Sequence, residues 1–208
     1  MTPTNKTDID IKYTRDKHGF LKQMNPKPFD YNLSYKASQS TNIAMSWLRL
    51  GWLLSNLFYG RIRHFNMVDI GSGNGSFVDE ARKVFKRAVP YDLAGKSIDE
   101  SELYSTRWDV VVMSDVLEHY SDIDMFWTLQ FKYAMISFPE TPKDYPLEDW
   151  KHYKPNEHIY CLNRESFEKW VKANGCEVIA SGCPEDAIRK RWDNKKVNVS
   201  TFLIKRGV

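Results

Sequence analysis

The chain has 208 residues, of which 42% are hydrophobic and 27% charged, with a net charge of +3. These values suit one soluble globular domain with a sizeable core, and the charge is too small to argue for a nucleic-acid partner. Cys161, Cys176 and Cys183 are odd in number and show no CxxC spacing, which argues against a disulfide framework or zinc site and for a reducing compartment.

The N-terminus, MTPTNKTDIDIK, has no apolar core of the kind a signal peptide needs. The most apolar stretch, Ile43 to Tyr59, is interrupted by Ser46, Arg49, Ser55 and Asn56 and is too short and too polar to cross a bilayer. No membrane association is expected, and the simplest location is the cytoplasm.

In chain order, residues 1–40 form an N-terminal extension, expected to be irregular or weakly helical, in which Tyr13, Phe20, Phe29, Tyr31 and Tyr35 are scattered among polar residues. Ser40 or Thr41 can cap a helix whose apolar stripe is Ile43, Trp47, Leu50, Leu54 and Leu57, stopped by Gly60. This helix is assigned to the core, with no chemistry. A β run over Phe65–Ile70 leads into the turn GSGNG at 71–75, and Phe77, Val78, Ala81, Val84, Phe85 and Ala88 then recur at helical spacing. Strand, glycine turn and helix in immediate succession open a βαβ unit. Residues 88–92 predict a short second strand, which Pro90 confines to an exposed or irregular edge.

Trp108 to Met113 (WDVVVM) is nearly unbroken in β-branched residues, as a parallel strand covered on both faces requires. A helix near Asp122–Phe131 and a strand at 134–138 follow. The loop over 139–160 is rich in Pro, Trp, Tyr and His. Asn163 caps a helix with Phe167, Trp170 and Val171 inward, ended by Gly175. Two late strands, Cys176–Ala180 and Val197–Ile204, flank a charged connection. The alternation predicts one domain over 1–208, with a mostly parallel Rossmann-like α/β core from residue 41 and helices on both faces, and the last strand is expected to run antiparallel. No internal repeat and no second domain is visible.

The strongest chemical signal is Asp69-Ile70-Gly71-Ser72-Gly73-Asn74-Gly75. Glycines at a strand-to-helix turn permit positive φ and let a ligand approach the backbone, while the turn's N–H groups favour an anionic group. Asp92 follows Gly75 by seventeen residues, at the end of the proposed second strand. A carboxylate there can accept hydrogen bonds from two ribose hydroxyls. The pair implies a nucleoside-bearing cofactor; the alternative is a merely tight turn and a surface carboxylate. The dinucleotide fingerprint GxGxxG would need a third glycine where Ser76 stands, so the GxGxG spacing argues against NAD or FAD.

On these residues the chain resembles the class I S-adenosylmethionine-dependent methyltransferases. MVDIGSGNGSF at 67–77 is similar to their first motif. RWDVVVMSDVLEHY at 107–120 is similar to the fourth-strand motif of a branch that includes the ubiquinone-pathway O-methyltransferases, with Glu/Asp-Val-Leu-Glu-His after the strand. YAMISFPETP at 133–142 and EHIYCLNRESFEKWVKANGCEVI at 157–179 resemble the fifth strand and the late helix with the sixth strand. The resemblance spans about residues 43–205 and implies S-adenosyl-L-methionine as cofactor. Gly71, Ser72, Gly73 and Gly75 would shape the pocket for its methionine part, Asp69 would fix the loop, and Asp92 would hold the ribose. Asp99 would lie near the adenine amine, and Ser114 and Asp115 beside the sulfonium. Only sixteen residues separate Asp92 from Asp109, so the helix and third strand usual in the family must be abbreviated.

Methyl transfer is an in-line displacement at carbon already activated by positive sulfur, so the enzyme chiefly aligns the two reactants and excludes water. A base is needed only when the acceptor must lose a proton. His119, after Glu118 at the mouth of the fourth strand, and His158, in the segment expected to cross the cofactor, are the candidate catalytic residues; both could equally brace the turns that carry them. His152 is weaker, and His18 and His64 are assigned to packing or surface. No metal site is expected. Tyr145, Trp150, His152, Tyr153, His158 and Tyr160 could form an aromatic lid or seal a small secondary core, with Tyr31 and Tyr35 closing the other side. Arg189-Lys190-Arg191 with Lys195 and Lys196 is either a solvated turn or a site that steers a phosphate-bearing acceptor. The expected acceptor is a small molecule or glycan precursor. An inactive methyltransferase-like scaffold is the alternative, motivated by the abbreviated adenine region. A nucleic-acid or protein methyltransferase ranks last, because no Asn-Pro-Pro-Tyr motif is present.

Overall fold

The computed structural model describes residues 11–29, 39–57, 59–93, 97–143, 146–189 and 199–207. The expectations placed on Tyr31, Tyr35, Tyr145, Lys190, Arg191, Lys195 and Lys196 lie outside the described residues.

The extension is not irregular where it is described. β1 (Tyr13–Arg15) and β2 (Leu21–Gln23) form an antiparallel hairpin. Its turn is set by Asp16, which accepts from the backbone N–H groups of His18 and Phe20, and by Gly19 at φ 85°. α1 (Gln39–Asn56) and α2 (Tyr59–Ile62) follow. Met45, Leu50 and Leu53 of α1 and Leu57 just after it are buried, whereas Trp47, expected in the apolar stripe, is 60% exposed. Leu50, Leu54 and Leu57 of the expected stripe do face the core, the buried face extends to Met45 and Leu53 instead of Trp47, and Gly60 falls inside α2 rather than ending α1.

The main sheet contains β3 (Asn66–Ile70), β4 (Arg87–Tyr91), β5 (Arg107–Ser114), β6 (Gln130–Pro139), β8 (Cys176–Gly182) and β9 (Val199–Arg206) in the order β4-β3-β5-β6-β9-β8. The first four are parallel, and β9 runs antiparallel between β6 and β8. Side chains alternate between the two faces as the pleat requires. Val68, Ile70, Val111, Met113, Ala134, Ile136, Phe202 and Ile204 enter one apolar core, and Met67, Val110, Val112, Met135 and Leu203 enter the other. Burial on both faces explains the uninterrupted apolar run of β5.

Several elements differ from expectation. α3 (Ser76–Ala81) is only six residues long, and Val84 and Phe85 pack from the turn beyond it. β4 is the sheet edge, where Pro90, lacking an N–H, is tolerated. α4 (Glu100–Ser105) is the one regular element among the described residues between β4 and β5, in keeping with the abbreviation expected there; the Ile98 N–H donates to the Pro90 carbonyl alongside this edge. The expected helix near 122–131 is a 3-10 helix over Ile123–Thr128, and β6 begins four residues before the predicted strand.

After β6 the chain makes a 3-10 turn at Leu147–Asp149, then β7 (Tyr160–Cys161), which pairs antiparallel with β2 to complete a second, three-stranded sheet. α5 (Arg164–Ala173) is capped as expected: the Asn163 side chain accepts from the Ser166 N–H at 3.0 Å. Phe20 is fully buried, with its ring edge-on to Tyr160 and Trp170. His18 and Trp170 both donate to Asp124, tying hairpin, 3-10 helix and α5 together. The hairpin is thus an integral part of this core, and replacing Phe20 with Ala is expected to cost about 3–5 kcal/mol of unfolding free energy. Urea denaturation measures this; a loss below about 1 kcal/mol would show that the hairpin folds apart from the sheet.

Candidate functional site

The strand register brings the sequence signals to one level. Ile70 of β3 pairs with Tyr91 of β4 on one side and with Met113 of β5 on the other. The next residues along each strand are Gly71, Asp92 and Ser114, so the glycine turn, the acidic residue and the end of β5 stand side by side at the carboxyl end of the sheet, where ligands of open α/β sheets bind.

Gly71, Gly73 and Gly75 all adopt positive φ, at 70°, 53° and 80°, a region side chains disfavour. At Gly71 a Cβ would also sit 2.2 Å from Val116 Cγ2, so the turn presses against the segment after β5. At Gly75 nothing lies within 4 Å of the Cβ position. The turn's N–H groups are largely engaged within the protein: Gly71 and Ser72 donate to the Tyr91 carbonyl, Gly73 to Asp92 Oδ2 at 2.8 Å, and Gly75 to the Ser72 carbonyl. Asp92 therefore braces the turn directly.

Beneath the turn lies a cluster of buried charge. The Asp69 side chain is buried, and burial pushes its pKa up to about 7; Arg49 opposes this and Asp92 adds to it. Arg49, on the inner face of α1, donates from Nε to Glu185 Oε1 at 2.6 Å and reaches Asp115 Oδ2 at 3.5 Å. Arg189, on the short α6 (Asp186–Arg189), pairs with both Asp115 and Glu185. Burial raises the Asp115 carboxyl, but the two guanidinium groups outweigh it and hold the group below the usual carboxylate range. Asp115 has φ 55°, its Oδ1 is buried without a hydrogen-bond partner, and so is the hydroxyl of Ser114. Arg189 is therefore not the solvated residue that one view of its basic run suggests.

One turn further on, Glu118 is 2% exposed, and neither carboxylate oxygen has a hydrogen-bond partner. Burial, reinforced by Asp115, raises its pKa well above the ordinary value. His119 Nε2 lies 3.9 Å from Glu118 Oε1, and the His119 ring stands edge-on to His158 at 4.9 Å. Burial lowers the pKa of both imidazoles, that of His158 to about 3 with His119 adding to the effect. The hairpin holds His158 in place. The Gln23 N–H donates to the Ile159 carbonyl, and its side chain exchanges two hydrogen bonds with Asn156, which has φ 71°. Trp150 is buried against His152, and Tyr153 packs on Tyr13, so these loop aromatics seal a secondary core with the hairpin.

The structure thus gathers Asp69, Gly71, Ser72, Gly73, Gly75, Asp92, Ser114 and Asp115 at one end of the sheet, with His119 and His158 beside them. Asp99 is different: it is exposed at the start of α4 and makes no capping hydrogen bond there. His18 serves packing and His64 is exposed. Arg49 and Glu185 belong to the charge cluster although α1 was assigned no chemistry. The signal for Arg49 was its place four residues from both Met45 and Leu53, a cation on a buried helix face.

The model of one protein family, described as a methyltransferase domain, matches residues 51–181. A comparison with curated protein sequences gave no match. Among solved structures, magnesium protoporphyrin IX methyltransferase from Synechocystis PCC 6803 with bound SAH superposes with a TM-score of 0.52 at 16% identity, covering 83% of this chain and 89% of that one. An S-adenosylmethionine-dependent methyltransferase from Clostridium acetobutylicum gives 0.55 at 14% identity, with 83% and 94% covered. The putative methyltransferase in complex with the Trm112 activator of Haloferax volcanii gives 0.57 at 10% identity, with 82% and 95% covered. At these identities the structures establish the shared fold, and the family match adds the assignment: the chain belongs to the methyltransferase-domain family and carries the Rossmann-like fold of the class I S-adenosylmethionine-dependent methyltransferases.

Proposed function

We propose that the protein, as a single methyltransferase unit, transfers a methyl group from S-adenosyl-L-methionine to a small-molecule or glycan-precursor acceptor. The observation that carries this is the level placement of a positive-φ glycine turn, the Asp92 carboxylate and the Ser114–Asp115 strand end on three neighbouring strands. The residues fit such a cofactor: open space at Gly75 admits a ligand, and the orphaned Ser114 hydroxyl and Asp115 Oδ1 await a polar partner. The resemblance of the Asp-Val-Leu-Glu-His segment to the ubiquinone-pathway branch, and fold neighbours named for small-molecule methylation such as mitomycin 7-O-methyltransferase, support a small acceptor.

When bound, the cofactor supplies a methyl group on positively charged sulfur. Asp92 would accept from the ribose hydroxyls while keeping the Gly73 N–H, and Gly71, Ser72, Gly73 and Gly75 would shape the methionine side. Asp69 would set the charge beneath the turn, and Ser114 and Asp115 would face the sulfonium. Asp99, at the start of α4, is the candidate for the adenine end. His119 and His158 would line the acceptor side, where burial keeps the imidazoles neutral and fit to hold an acceptor oxygen. The hairpin and residues 146–160 would exclude water from this side.

Calorimetric titration tests the assignment. The wild-type protein is expected to bind S-adenosyl-L-methionine, and Asp92→Ala to bind it about 10- to 100-fold more weakly, the worth of charge-assisted hydrogen bonds to a ribose. Equal affinity of the two proteins rules the site out, and no binding by a folded wild type favours a scaffold.

A second expectation concerns pH. Asp69 holds its proton more tightly in the folded protein, at about 7, than at its ordinary value of 3.8, so its ionisation removes stability as pH rises between those values. Asp69→Asn escapes that loss. Its stability relative to wild type should rise by about 2–3 kcal/mol between about pH 5 and pH 8 in urea denaturation; a pH-independent difference would show that the carboxyl titrates normally.

A further inference from the structure

We propose that Glu118, His119 and His158 form a binding site for a divalent transition-metal ion, with coordination positions left open for an oxygen donor of the acceptor. The three side chains come from two separate segments, and one ligand atom from each lies within 4.8 Å of the others. Donors bound at about 2.1 Å to a common ion stand roughly 3–4 Å apart, so small side-chain rotations close the site. Glu118 and His119 sit on the 3-10 turn Leu117–His119 after β5, and all three groups are inside the protein or at its inner wall.

Glu118 makes the case specific. A carboxylate that is 2% exposed, with both oxygens lacking a hydrogen-bond partner, is a costly arrangement that a cation would relieve. Arg49 and Arg189 make their direct ion pairs with Asp115 and Glu185, and the field of Arg189 offsets the burial of Glu118 only in part. His119 has the ring contact that metal-bound imidazoles characteristically have, and His158 is positioned by its backbone. The His119 ring donates to the Glu157 backbone carbonyl. His158 is fixed through its own N–H to the Lys154 carbonyl and, one residue on, through the Ile159 carbonyl to β2.

Two imidazoles and one carboxylate suit Zn²⁺, Co²⁺, Mn²⁺ or Fe²⁺ rather than Mg²⁺ or Ca²⁺, and three protein ligands leave room for an exogenous oxygen. A cation there would lower the pKa of a hydroxyl it binds, which points to a hydroxyl-bearing acceptor and does without a strongly basic histidine. This last step rests on the methyl-transfer reading; the metal site does not.

Co²⁺ titration of the chelator-treated 208-residue chain, followed by visible absorption and calorimetry, is the test. Wild type is expected to bind one Co²⁺ with a d–d spectrum. Glu118→Gln and His158→Ala are expected to bind about 100-fold more weakly or not at all, and Asp92→Ala to bind as wild type does. Circular dichroism verifies folding, and Glu118→Gln, isosteric with a neutral carboxyl, preserves packing. Absence of binding by wild type overturns the site. So does equal binding by the folded Glu118 and His158 variants, or a sulfur charge-transfer band, which would place the ion on cysteine. Metal binding without cofactor binding would sink the methyl-transfer reading alone, and the converse would sink only the metal site.

Discussion

The structure is built around an imbalance of buried charge. Asp69, Asp115, Glu118 and Glu185 crowd the carboxyl end of the central strands, and Arg49 and Arg189 are the guanidinium groups that face them. The arginines satisfy Asp115 and Glu185 with direct ion pairs. Asp69 and Glu118 are left with raised proton affinity, because charging them in a low-dielectric interior lacks adequate compensation. A core designed only for stability would place apolar side chains here. The deficit makes sense if the end of the sheet is meant to face positive charge, as a sulfonium and a metal ion both provide.

The glycine turn shows how tightly that end is constrained. Its three positive-φ residues fold the backbone against Val116 while Asp92 grips Gly73 from the next strand. The same few residues join β3, β4 and the segment after β5, so the loop is rigid without a long helix behind it. The six residues of α3 bury Phe77, Val78 and Ala81 in the second apolar core.

Much of this was legible in the chain. The β-branched run of β5, the glycine spacing and the Asn163 cap each rest on local geometry, and each appears where the pattern placed it. The parallel order followed from the alternation of elements, and the last strand runs antiparallel as expected. What was not legible depends on long-range pairing. Residues 13–23 have no strong alternation; their hairpin pairs locally, and only its second strand is joined to the rest of the molecule by β7, far along the chain. The meeting of Glu118, His119 and His158 is equally non-local, since the residues between them include the whole of β6. The inward turn of Arg189 was hidden by its basic neighbours, and Arg49 by the apolar helix around it, although its spacing from Met45 and Leu53 carried the information.

The position of β9 has a consequence for how the molecule is made. β8 reaches the sheet only through β9, which lies between it and β6. Until residues 199–206 have been synthesised and released from the exit tunnel, β6 has a bare edge, and β8 with its bulged pairing has no sheet to join. The parallel half can condense during translation, whereas closure of the other half must wait for the final segment to slot in. Nascent chains would thus pass through a state with an open, apolar strand edge, the kind of surface that chaperones shield.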